Sequence, residues 1–199
     1  MTDDVDEDGP KTRVLSNAQV LRFVASRWMR RKGLFAGSTG LMLLSVAADL
    51  ALPWASGALV EAVARGPEAV DAAWSAWALF VGVYFAFFLS RNGAFRFWNR
   101  FAANNMKDLT DDAFARVQDF SSDWHANSFA GATVRKVSRA MWGYDSVSDA
   151  LVLWLGSAFL VLVGLVVSMI VRWPMVGLFA GVVVAAFVAL NFTLSARYV

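Results

Sequence analysis

Residues 91–149 read RNGAFRFWNRFAANNMKDLTDDAFARVQDFSSDWHANSFAGATVRKVSRAMWGYDSVSD, a polar stretch set between segments apolar enough to cross a membrane. Within it, Met106, Leu109, Ala113, Val117, Phe120 and Trp124 recur at steps of three and four. After a break, Val134, Val137, Met141, Tyr144 and Val147 do so again. That spacing predicts two amphipathic helices joined by a short link around residues 123–129. Thirty helical residues reach roughly 45 Å at 1.5 Å per residue. The spans on either side are therefore expected to run on well past the bilayer and to turn at a distant tip. Such a stalk suits a machine that takes a push from a soluble partner, and a channel or simple carrier has no need of it.

The rest of the composition agrees with a membrane protein. Of 199 residues 58% are hydrophobic and only 17% charged, below the roughly 25% charged of soluble domains. The apolar runs predict spans at about 33–60, 72–90, 151–171 and 175–195, each able to cross about 30 Å of hydrocarbon. Pro53 marks a kink near the far end of the first, and Arg172-Trp173-Pro174 a tight turn between the last two. There is no cysteine, so disulfides and thiolate metal sites are excluded. A lone histidine, His125, has no second histidine to share a metal. The basic residues sit beside the spans, where topology explains them, and nothing points to nucleic acid.

Ahead of the first span lie two further segments. Residues 1–15 open with five acids before Gly9-Pro10 and read as a disordered acidic tail. Ser16 with Gln19 fits a capping box, opening a helix over 16–32. Its stripe of Val20, Phe23, Val24 and Trp28, with Arg22, Arg27, Arg30 and Arg31 largely elsewhere, is expected to lie in the membrane interface. Seven Lys and Arg precede the first span and eight lie between the second and third, against one in each of the other two connections. By the positive-inside rule both termini and the stalk are cytoplasmic.

Two polar residues within the spans are candidates for a translocation path, Asp49 in the first and Asn191 in the fourth. A carboxylate at that depth is costly and marks a functional site by default, although pairing within the bundle also accounts for it. No Gly-x-x-x-x-Gly-Lys-Ser/Thr sequence occurs, so no phosphate-cradling loop is encoded here. No catalytic, cofactor or metal residue is assigned.

At the outer end of the first span Leu52-Pro53 is followed by Gly57, Leu59, Val60 and Glu61. In the stalk come Leu109, Phe114, Val117, Phe120, Trp124, Gly131, Val134 and Lys136. With the four-span topology, these resemble the first four of six spans in the transmembrane domain of ATP-binding-cassette (ABC) exporters. Thr110, His125 and Ala140 depart from that family's usual arginine, aromatic residue and aspartate. The resemblance implies an all-α membrane protein, the permease part of an ATP-driven exporter, multi-pass in the plasma (inner) membrane. It further implies a coupling tip of Asp123, Trp124, His125, Asn127, Phe129 and Gly131, which docks on a nucleotide-binding domain. ATP and Mg belong to that missing domain, and a second half-transporter completes a dimer. Because the sequence stops after the fourth span, it reads as a fragment or a truncation, without ATPase activity of its own. The alternatives are a self-sufficient four-span carrier using Asp49 as ion site, and a non-transporting truncated subunit.

Overall fold

In hydrocarbon a backbone amide has no water to bond, so every spanning segment must satisfy itself as a helix. The computed structural model describes residues 16–123 and 130–198, and among these there is no strand. After α1 (Asn17–Arg30) and a one-residue break, α2 runs over Lys32–Ala64 with Pro53 inside it. The chain reverses at Gly66, whose φ of 82° suits a residue without Cβ. A 3₁₀ turn at Pro67–Ala69 then leads into α3, Val70–Gln118. With no proline to interrupt it, α3 continues for 49 residues, roughly 74 Å by the rise per residue. The expected second span and the first stalk helix are one rod.

The return path is continuous as well. Helix α4 (Ala130–Asp149) passes through a π-helical stretch, Ala150–Gly156, into α5 (Ser157–Arg172). At the end of that stretch, a Cβ on Gly156 would press on the Leu151 carbonyl. Trp173 breaks the helix, and Pro174 opens α6 (Pro174–Tyr198), where its fixed φ costs nothing. Among the described residues, four helices are long and apolar enough to cross a membrane.

Small residues set the helix spacing, as they do where lipid offers no hydrophobic push between helices. Gly37 lies under the Phe97 ring and Gly93 under Leu41, drawing α2 onto α3. The buried Ser38 hydroxyl donates to the Ala94 carbonyl at 3.1 Å. Met42 and Val46 on one side of that contact, and Trp98 and Phe101 on the other, are also buried. Leu50 of α2 sits against Gly164 of α5. Elsewhere the spans leave large side chains bare, among them Trp154, Met175 and Phe179, surface suited to hydrocarbon.

The α5–α6 hairpin is tightest at Gly177, which is buried against the backbone of Met169 and Ile170. A methyl there has only main chain to displace, whereas at Gly181 it meets the Val166 side chain at 3.3 Å. Gly177→Ala should therefore destabilise the purified protein by about 1–3 kcal/mol, the usual cost of overpacking. Gly181→Ala should leave the thermal midpoint in detergent nearly unchanged.

Candidate functional site: the stalk and the helix that braces it

Helix α1 begins as its sequence requires. Ser16 Oγ accepts from the Gln19 amide at 3.4 Å, and Gln19 Oε1 accepts from the Ser16 amide at 3.0 Å. Its course departs from expectation. Of the stripe assigned to the membrane interface, Val20, Val24 and Trp28 pack on protein while Phe23 stays exposed: Val24 is 2% exposed, in a cluster with Leu109 of α3 and Tyr144 of α4. Val20, Trp28, Met141 and Val147 surround that cluster. Periodicity identifies an apolar face without naming what covers it, and here the stalk covers it.

Charge fixes the register. Arg31 grips Asp108 bidentately, Nε to Oδ2 at 3.0 Å and Nη2 to Oδ1 at 2.9 Å. One turn back on α1, Arg27 Nη1 lies 2.6 Å from Asp112 Oδ2, and Arg30 reaches the same oxygen at 3.1 Å. Another turn back, Phe23 shares a groove with Ala113 and Arg116. Each step of four backwards along α1 is thus matched by a step of four forwards along α3, so the two run antiparallel. On the other side the Trp28 indole donates to Ser148 Oγ at 3.1 Å. The stalk, over this length, is a three-helix bundle.

At its base a fourth tie joins α3 to α4. Trp98, 2% exposed, donates its indole N–H to Asp149 Oδ1 at 2.5 Å. A buried tryptophan carries one donor that must be satisfied, and the last residue of α4 supplies the acceptor. One turn earlier, burial and then the Asp149 charge push the Asp145 carboxyl above the ordinary range.

The clasp is electrostatically tuned. Hydrogen bonding from Arg31 holds the Asp108 carboxyl below its usual range, and hydrogen bonding from Arg27 does the same for Asp112. A carboxylate depressed in the folded state stabilises that state above its unfolded pKa of about 3.9 and loses the contribution as pH falls through the depressed folded value. Acidification below the ordinary carboxylate range should therefore release α1 from α3, read as a growing distance between spin labels on the two helices. Asp108→Asn with Asp112→Asn should release it at neutral pH, with the acid-dependent part gone.

The other sequence-predicted positions fall as follows. Asp123 is an exposed, helical residue just beyond the end of α3, and Gly131 is the second residue of α4, half-buried. Trp124, His125, Asn127 and Phe129 lie outside the described residues. Asp49 is half-buried on α2, with no ion-pair partner among the described residues. Asn191 is exposed on α6 and donates to the Phe187 carbonyl of its own helix at 2.8 Å. No hydrogen bond joins Asp49 to Asn191 among the described residues. The α1 clasp is what sequence reasoning missed. A signal was present, since Arg27 and Arg31 are four residues apart on one helix, as Asp108 and Asp112 are on the other.

Residues 35–197 match the family model described as the ABC transporter transmembrane region. Comparison with curated proteins and with solved structures gives no match.

Proposed function

Because the chain belongs to the family of ABC transporter transmembrane regions, we propose that it is the membrane part of an ATP-driven exporter, worked through its stalk. The observation that carries this reading is the length of the α3 and α4–α5 rods. Only part of each is needed to cross about 30 Å of hydrocarbon, and the remainder forms a braced lever. The crowding of Lys and Arg on the stalk side supports a cytoplasmic stalk and termini by the positive-inside rule, in a protein we read as belonging to the plasma membrane. A nucleotide-binding domain, carrying ATP and Mg, would dock at the tip between Asp123 and Gly131. A second half-transporter would face the bare sides of the spans and enclose the path for a substrate.

Within the tip, Trp124 is the residue type that anchors interfaces, a large ring with one donor. His125, Asn127 and Phe129 follow it in sequence. Asp49 and Asn191 are assigned to the translocation path by their place in the spans. An ion-coupled carrier using Asp49 would leave the stalk and its brace without a task.

The test joins this membrane region to a nucleotide-binding domain and replaces Trp124 with alanine. Loss of an interface anchor costs roughly 2 kcal/mol, or some thirtyfold in docking affinity. Transport should fall while basal ATP turnover persists. Transport at normal coupling in that variant would remove Trp124 from the docking role.

A further inference from the structure

Between α1, α3 and α4 lies an open groove of about 300 Å³, floored by Phe23, Leu109 and Val137. Three cations line it, Arg27, Arg116 and Lys136, against the single carboxylate of Asp112. That carboxylate is already engaged by Arg27 and Arg30. Arg116 and Lys136 have no ion-pair partner among the described residues. The groove thus offers two spare positive charges over an apolar floor, in a space that admits a few side chains and no folded domain. We infer that its occupant is this chain's own acidic amino-terminal segment, Asp3, Asp4, Asp6, Glu7 and Asp8 around Val5.

Three observations support that choice of occupant. The first is charge: the segment has five acids and no base before Lys11. The second is reach. Phe23 lies seven residues beyond Ser16, roughly 10 Å along the helix at 1.5 Å per residue. The eight residues from Asp8 to Ser16 can extend about 26 Å, enough to double back with slack. The third is Gly9-Pro10, a turn-forming pair placed between the acids and α1, where the chain must reverse. A tethered segment of this kind also acts at the high effective concentration of a short linker. Occupied, the groove would tie α1, α3 and α4 together at a point beyond the clasp, and raised salt would loosen it.

The absence of native cysteine makes the experiment clean. In the full chain, Asp6→Cys is paired either with Ala140→Cys, an exposed position lining the groove, or with Ala115→Cys, an exposed position of α3 outside it. A short bis-maleimide should link the first pair severalfold more than the second. The preference should vanish when the other four acids become Asn or Gln. It should also vanish as salt shortens the Debye length from about 10 Å at 0.1 M to about 3 Å at 1 M. Equal yields for the two pairs, or a preference that survives neutralisation, would overturn the inference. So would cross-links found only between two copies in a mixture of singly substituted chains. As a second readout, deleting residues 1–10 should speed maleimide labelling of Ala140→Cys severalfold, and an unchanged rate would count against the inference equally.

Discussion

Arg31 and Asp108 meet through two parallel N–H···O bonds, the geometry that makes guanidinium–carboxylate pairs both strong and directional. Arg31 is also the one residue between α1 and α2, so this pair decides where the first span departs from the stalk. Two long helices side by side make a ribbon with a narrow apolar contact. A third helix laid into the seam closes Val24, Leu109 and Tyr144 away from water. The clasp holds that helix at one register, since a shift of a single residue would part Arg27 and Arg31 from their carboxylates together. Rigidity along the stalk follows from this arrangement.

The clasp also connects to the membrane seam. Trp28 stacks on Phe35 at 5.2 Å, and Phe35 leans on Phe101 at 5.6 Å. Phe101 in turn packs on Trp98, whose indole is bonded to Asp149. An unbroken run of aromatic contacts therefore leads from α1, through the foot of α2, to the joint between α3 and α4. Packed rings have little room to yield, because interiors at this density transmit displacement rather than absorb it.

Much of the architecture was legible because membrane helices and amphipathic stripes announce themselves by period. The stripe through Met106, Leu109 and Ala113 gave the first stalk helix, Ser16 and Gln19 gave the start of α1, and Trp173-Pro174 gave the last turn. The partner of α1 was not legible. Its stripe and its arginines are equally the pattern of a helix lying in a membrane interface, and only the fold decides between lipid and protein. Local competition hid the matching acids as well, since Lys107 pairs with Asp111 one turn away at 2.7 Å. Asp49 and Asn191 were found by polarity alone, which places a residue along a helix but not beside another. Of the six residues that the resemblance implied for a coupling tip, only Asp123 and Gly131 fall among the described residues.

The π-helical stretch at Ala150–Gly156 has a bearing on how the two halves of that rod are oriented. A regular α-helix advances about 100° per residue, so a stripe begun near Val134 would dictate which side chains face the neighbouring spans far along α5. A wide turn breaks that inheritance. Tyr144 can point at α1 and Gly164 at Leu50 without either bearing constraining the other. The rod behaves as a shaft with an angular offset machined into it, each end keeping its own compass heading.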